Sequence, residues 1–176
     1  KVTAFLWTEA GGMRSLAEPA VPYTETNANG VNARNEVVGY GTTVTKARRA
    51  LLWSANGEVI EIGSLAGDSE SMALGINDRG YVVGASGSAL GARRAFRWSR
   101  AAGMQDLGVL PGMEWSMARA IGNNGHVVGS SGLNGGEVER AFVWTEAHGM
   151  RDLGALPISE GKQSGAFGVN SLGKAV

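Results

Sequence analysis

The chain has 176 residues, and its 16 basic side chains balance 16 acidic ones. This balance argues against a nucleic-acid interface or a general attraction to anionic membranes. The absence of cysteine excludes disulfides and thiolate metal sites, and no apolar run approaches the roughly 18 residues of a membrane-spanning helix.

A tandem repeat is the strongest pattern in the sequence. Tryptophans recur 46, 45 and 46 residues apart, each ending a near-copy of one phrase (AFLW, ALLW, AFRW, AFVW), at Trp7, Trp53, Trp98 and Trp144. Each repeat holds four short runs with alternating or β-branched character, separated by Asn, Asp and Gly. We name them a (ending GVN, GIN or AIG), b (EVVG, YVVG, HVVG), c (AFxW) and d (MRDLG and its relatives). A four-stranded meander in about 45 residues is typical of a propeller blade.

In chain order, the runs predict a single all-β repeat domain over residues 1–176. It consists of a c–d half-blade, three full blades and an a–b half-blade, at 1–19, 27–65, 71–110, 116–156 and 164–176. We predict a β-propeller of about four blades, closed by pairing Lys174–Val176 with Thr3–Trp7, because an open blade leaves unpaired edges. A larger ring, or eight blades from two copies, stays open as an alternative. The start at Lys1, without methionine or signal peptide, indicates a processed form or a fragment.

The connections between the runs differ in how constant they are. The a–b and c–d turns keep one length in every repeat, and Gly80, Gly125 and Gly57 stand where a tight turn requires a positive φ. The b–c and d–a connections vary in length. In an antiparallel meander these two connections emerge on the same side, so the variation is expected on one face, which we call the loop face. Binding residues are commonly carried by such loops on a rigid scaffold.

The repeats resemble a known family. Three phrases are each followed, after one intervening residue, by Trp: Thr3-Ala4-Phe5, Arg94-Ala95-Phe96 and Arg140-Ala141-Phe142. The Gly-Met-x-Asp-Leu-Gly and Gly-Ile-Asn-x-x-Gly-x-Val-Val-Gly phrases accompany them. Together they are similar to the HAF repeat of bacterial proteins, although Thr or Arg stands in place of the opening His. The resemblance implies a β-propeller-like repeat in a secreted bacterial protein, located outside the cell or at its surface. It implies no defined activity.

Candidate ligand-binding residues are those that differ between repeats. The four repeated tryptophans are interpreted as packing between blades, whereas Trp115 has no counterpart and either stacks on a ligand or folds onto its own blade. Acidic loop residues and a tyrosine are predicted around the same face: Asp68, Glu70, Glu114, Glu160 and Tyr23. Lys46, Arg48 and Arg93 fall outside the matched arginine positions and are candidates for contacting a ligand. The matched arginines, Arg49, Arg94 and Arg140, are expected to pair with acids of adjacent blades.

These features predict a non-catalytic binding or scaffold protein whose ligand is a carbohydrate or another protein. No catalytic residue, cofactor or metal site is expected, and no nucleic acid or membrane span; the chain is a monomer or a paired ring of two chains. One alternative is a polysaccharide hydrolase or lyase that uses paired loop carboxylates. Another is a purely structural segment of a larger surface protein.

Overall fold

The structure is a computed structural model that describes residues 2–88, 93–136, 138–157 and 163–176. Within these ranges the chain forms fourteen β-strands and no helix: β1 (Phe5–Thr8), β2 (Gly12–Ser15), β3 (Glu25–Val31), β4 (Val37–Thr42), β5 (Arg48–Trp53), β6 (Val59–Gly63), β7 (Glu70–Ile76), β8 (Val82–Gly87), β9 (Arg94–Ser99), β10 (Gly103–Gly108), β11 (Trp115–Ile121), β12 (Val127–Gly132), β13 (Glu139–Thr145) and β14 (Gly149–Gly154). The described chain thus offers no helix of the length and apolarity that crossing a bilayer requires. The predicted all-β class is confirmed.

The strands form four antiparallel sheets in sequence order. Sheet 1 is β1–β2, sheet 2 is β3–β4–β5–β6, sheet 3 is β7–β8–β9–β10 and sheet 4 is β11–β12–β13–β14. Each four-stranded sheet is therefore a simple meander of runs a, b, c and d. Residues 163–176 add an a–b hairpin after sheet 4, in which Val169 and Ala175 form a bridge. The turn glycines Gly57, Gly80 and Gly125 have φ values of 90°, 79° and 87°, as their turn positions predicted.

A bulge in strand a explains the glycine that ends every VVG phrase. In sheet 3 the register between β7 and β8 shifts between Ala73 and Gly75, which leaves one extra residue on β7. The bulge brings the carbonyl oxygen of Met72 to within 1.9 Å of the place a Cβ on Gly84 would occupy. The corresponding distances are 1.8 Å at Gly39 and 1.9 Å at Gly129. No side chain fits there, so the glycine is required by the strand pairing.

Successive sheets pack face to face through apolar side chains. One cluster joins Leu52 of sheet 2 to Phe96 and Trp98 of sheet 3, and a second joins sheet 3 to Phe142 and Trp144 of sheet 4. A third packs Trp53 of sheet 2 against sheet 1. Trp53, Trp98 and Trp144 are 2%, 8% and 5% exposed, which confirms that these tryptophans pack between sheets. Trp7 differs, because 60% of it is exposed.

A hydroxyl repeats at every junction between successive units, buried at the first three and half-buried at the last. The backbone N–H groups of Ala50, Ala95 and Ala141, all on strand c, donate to Ser71, Ser116 and Ser164 of the next unit at 2.8–2.9 Å. Each serine donates onward to the carbonyl of a glycine at the end of strand d: Gly63, Gly108 and Gly154. Thr26 accepts from Ala4 in the same way. Buried polar groups need hydrogen-bond partners, and this hydroxyl supplies them for strands c and d of the preceding sheet. It therefore links each sheet to the next unit.

The predicted pairing of Lys174–Val176 with Thr3–Trp7 is not made. β1 pairs with β2 alone, and the last residues pair within their own hairpin, where Val176 and Gly168 exchange backbone hydrogen bonds. The missing b-type neighbour explains why Trp7 is exposed while its counterparts are buried. The physical reason for the difference is that each chain end packs on its nearest sheet: Ala166 joins the core of sheet 4, and Ala4 and Leu6 join that of sheet 2.

Candidate functional site

The loop face brings the d–a and b–c connections together, as the antiparallel arrangement predicted. The carboxylate of Glu114, in a d–a connection, accepts a hydrogen bond from the backbone N–H of Asn134 in a b–c connection at 2.8 Å. Gln163 donates to the carbonyl of Gly136 at 2.9 Å in the same way. These contacts place variable segments of one unit beside those of the next.

The two aromatic candidates on this face are packed into the sheets. Tyr23 is 4% exposed, lies against Gly41, and donates its hydroxyl to Glu61 at 2.8 Å. Burial, together with the hydrogen bond to the Glu61 carboxylate, raises the pKa of the Tyr23 phenol. Trp115 is half-buried over Gly132 and donates its indole N–H to the carbonyl of Leu133 at 3.0 Å. Of the two interpretations of Trp115, stacking on a ligand or folding onto its own blade, the second therefore describes its position.

The charged candidates are dispersed along the loop face. Asp68 accepts from the Ser86 hydroxyl at 2.8 Å, and the Arg48 guanidinium lies 5.2 Å from the centre of the Tyr40 ring. Lys46 is exposed in a tight turn with φ of 69°. Glu114 is exposed, whereas Glu70 and Arg93 are half-buried. Glu160 lies outside the described residues.

The matched arginines pair with acids, but within their own sheets. Arg94 contacts Asp106 at 2.5 Å, and the equivalent pairs Arg49–Glu61 and Arg140–Asp152 measure 3.7 Å and 4.0 Å. The prediction that these acids belong to adjacent blades is wrong. Strands c and d are hydrogen-bonded neighbours, so an arginine at the start of c reaches the acid near the end of d directly.

The opposite face, which carries the a–b and c–d turns, contains a groove between sheets 2 and 3. Its cavity volume is about 260 Å³. Three arginines and one acid line it, together with apolar and small residues: Arg34, Arg79, Arg100, Glu36, Leu52, Tyr81, Trp98 and Ser99. We call this the arginine groove. The guanidinium of Arg34 spans the two sheets, since it lies where a Cβ on Gly80 would be only 2.7 Å away.

The groove is open because the residue before the repeated tryptophan of strand c is Leu52 at this interface. At the next interface, the position equivalent to Leu52 is Arg97, whose guanidinium lies 5.0 Å from the Tyr81 ring centre and 4.7 Å from that of Trp144. Arg97 also pairs with Glu146 at 2.5 Å. Its side chain therefore fills the space between sheets 3 and 4. Leu52 is shorter, and the equivalent space between sheets 2 and 3 stays empty.

The groove is positively charged. The Glu36 carboxylate accepts hydrogen bonds from the guanidinium of Arg34 at 2.6 Å and from the side-chain amide of Asn32 at 2.7 Å. Burial acts to raise the pKa of Glu36, but the hydrogen bonds from Arg34 and Asn32 outweigh it and the net direction is downward, so Glu36 stays ionised. Arg100 lies 3.6 Å from Glu58. No ion pair to Arg79 occurs among the described residues.

Hydrogen bonds between successive a–b turns hold this face in place. The side-chain amide of Asn32 donates to the carbonyl of Asn77 at 3.1 Å, and that of Asn77 donates to Gly122 at 3.0 Å. Asp78 accepts from the backbone N–H of Ala33 and from the side chain of Asn123, and these bonds lower its pKa. The ends of four a-type strands, at Val31, Ile76, Ile121 and Val169, surround a cavity of about 240 Å³. The a strands thus converge on one region.

The sequence reasoning did not identify the arginine groove, because it treated constant turn lengths as a sign of constant surface. The signal was present in the residue before each repeated tryptophan, which is Leu, Leu, Arg and Val in the four phrases. Across the described ranges, no group of three or more His, Asp or Glu side chains could hold a metal ion.

Comparison with known proteins gives a likeness in fold to solved structures. No protein-family model and no curated protein matches the sequence. The chain is similar to the crystal structure of selenomethionine-substituted virginiamycin B lyase from Staphylococcus aureus, with a TM-score of 0.52 and 12% identity over 88% of this chain and 49% of that one. At this identity the likeness shows the fold alone. This chain spans about half the length of that protein.

Proposed function

We propose that this chain is a non-catalytic binding scaffold made of propeller-type blades, acting outside the bacterial cell and holding a carbohydrate or protein ligand. The HAF-like phrases support the assignment to secreted repeat proteins. The observation that carries the proposal is the contrast between frame and surface. Every interface repeats the same hydroxyl link, from Thr26 at the first and from a serine at the others, whereas the side chains in the grooves and connections differ from one interface to the next. A rigid frame with variable surface residues is the usual arrangement of a binding scaffold.

The sheets are proposed to be blades of a ring completed by a second copy. A cavity of about 320 Å³ lies between β1 and β3, where the other sheets have their b strand, and Phe5 and Trp7 border it. The C-terminal hairpin exposes Phe167 and Val176 at 65% and 84%. A b-type strand from the hairpin of a second copy fits this edge and covers Trp7. The similarity of this chain to about half of a longer propeller-like protein supports a ring assembled from two such halves.

The binding function is tested by applying the purified chain to arrays of immobilised glycans and peptides. We expect retention on at least one ligand class without release of product, and loss of retention in either Lys46→Glu on the loop face or Arg79→Ala in the arginine groove. Arg151→Ala, an exposed arginine on β14, is the matched control and should bind as the parent does.

Two outcomes would contradict the proposal. Retention on neither class of ligand leaves a purely structural role. Release of shortened saccharides by the parent chain, abolished by Glu70→Gln or Glu114→Gln, means that the loop carboxylates act on a polysaccharide. Circular dichroism of each variant separates lost binding from lost folding.

A further inference from the structure

We propose that the arginine groove binds a carboxylated sugar residue, namely a uronate unit of an acidic polysaccharide. This inference rests on the proposed binding function and names its site and ligand class. The proposed site therefore lies between sheets 2 and 3 on the face that carries the a–b and c–d turns, and not on the loop face.

The space for a ligand exists because of the difference between Leu52 and Arg97. At the interface of sheets 3 and 4, a guanidinium from the protein itself occupies the position between two aromatic rings. At the interface of sheets 2 and 3, the volume of about 260 Å³ has no such occupant. This is slightly below the range of about 300–1,000 Å³ typical of sites for drug-sized ligands. One sugar unit is of a suitable size.

The charges select an anion. Three arginines, Arg34, Arg79 and Arg100, and one acid, Glu36, line the groove, and Arg100 pairs with Glu58 outside this lining. Arg34 is held by Glu36, whereas Arg79 is exposed and has no ion pair among the described residues. A guanidinium presents two parallel N–H donors that match a carboxylate, so Arg79 is suited to bind the carboxylate of the ligand.

The remaining lining selects a sugar over an acidic peptide. All the hydrogen bonds that Glu36 receives in the described chain fall on Oε2, so Oε1 is open to accept a bond from a ligand hydroxyl. A uronate unit carries its carboxylate and such hydroxyls on one ring, whereas the donors of an acidic peptide lie on its backbone, away from the side-chain carboxylate. Leu52, Tyr81 and Trp98, which line the groove, provide apolar surface for the sugar ring.

Titration calorimetry with oligogalacturonate tests the proposal, with the fully methyl-esterified oligosaccharide as the matched ligand control. We expect binding of the acid form that weakens with added salt, and no binding of the ester, which keeps the ring but lacks the charge. Arg79→Ala should weaken binding about tenfold or more, since hydrogen bonds between charged groups are the strong ones. Arg151→Ala should leave it unchanged.

A second variant fills the groove as the protein itself does at the next interface. Leu52→Arg combined with Arg100→Glu recreates the Arg97–Glu146 pair and should abolish oligogalacturonate binding while circular dichroism stays unchanged. Equal binding of acid and ester, binding of polyglutamate in place of oligogalacturonate, or full affinity in Arg79→Ala would overturn the inference. If oligogalacturonate is not bound but an array ligand is still retained, the inference fails while the binding function stands.

Discussion

Gly84→Ala is expected to destabilise the chain by more than about 4 kcal/mol, or to prevent its folding. A Cβ at this position would lie 1.9 Å from the Met72 carbonyl oxygen and 3.0 Å from the Cα of Ala73. Both are backbone atoms of the neighbouring strand, which cannot move aside without losing the pairing of β7 and β8. Effects above about 4 kcal/mol are exceptional and indicate a specific mechanism of this kind. Urea unfolding followed by tryptophan fluorescence measures the change.

Gly30→Ala is the control for this prediction. Gly30 follows the bulge on strand a, and a Cβ there would meet the Leu74 carbonyl at 3.3 Å and a methyl group of Val38 at 3.4 Å. The third full repeat already has Ala120 at the equivalent position, which shows that the fold accepts a methyl group there. A loss below about 1 kcal/mol is therefore expected. Equal losses for Gly84→Ala and Gly30→Ala would show that the bulge does not determine the glycine.

Ser116→Ala is expected to cost about 2–3 kcal/mol, the second-largest effect. The hydroxyl is fully buried, accepts from the Ala95 N–H at 2.8 Å and donates to the Gly108 carbonyl at 2.5 Å. Removing it leaves a buried donor and a half-buried acceptor without this partner, and a buried group left unpaired costs about 1–3 kcal/mol. The free energy of unfolding, obtained from urea titration, is the appropriate measurement.

Ser130→Ala provides a matched comparison on the next strand. Ser130 is also fully buried, but its hydroxyl has no hydrogen-bond partner in the described chain. Replacing it with alanine removes an unsatisfied polar group, so the stability should stay constant or increase slightly. Comparable losses in both serine variants would mean that burial, and not the link between sheets, accounts for the effect.

The repeating parts of the fold were predictable because each rests on local chemistry. The period of the tryptophans gave the number of units, and Asn–Gly turn residues located the a–b hairpins, where Gly80 and Gly125 adopt the required positive φ. Burial of Trp53 between sheets followed from its recurrence at one position. The bulge was not predicted, although the glycine that it requires stands in every VVG phrase.

The candidate site was harder to predict, because residues that differ between repeats need not be exposed. Tyr23 and Trp115 are unique among the repeats, yet each packs over a glycine of strand b and satisfies its polar group within the chain. The glycines Gly41 and Gly132 supply the space, and the sequence alone does not show that they face these rings. The arginine groove was missed for the opposite reason: it arises from the small size of Leu52, and not from a conspicuous residue.

The proposed ring of blades, completed by a second copy of the chain, is tested most directly by a disulfide between copies. The measurement is the mass of the oxidised double variant Trp7→Cys/Ala175→Cys under denaturing, non-reducing conditions. Strand b pairs with strand c so that Val127 lies opposite Trp144, and Ala175 is aligned with Val127, so residue 175 of one copy should lie opposite residue 7 of another. The natural chain has no cysteine, so the introduced thiols are the only ones present. We predict a covalent dimer, while Trp7→Cys/Leu172→Cys, whose second thiol lies in the turn, stays monomeric. A monomeric Trp7→Cys/Ala175→Cys variant would contradict a ring completed by a second copy.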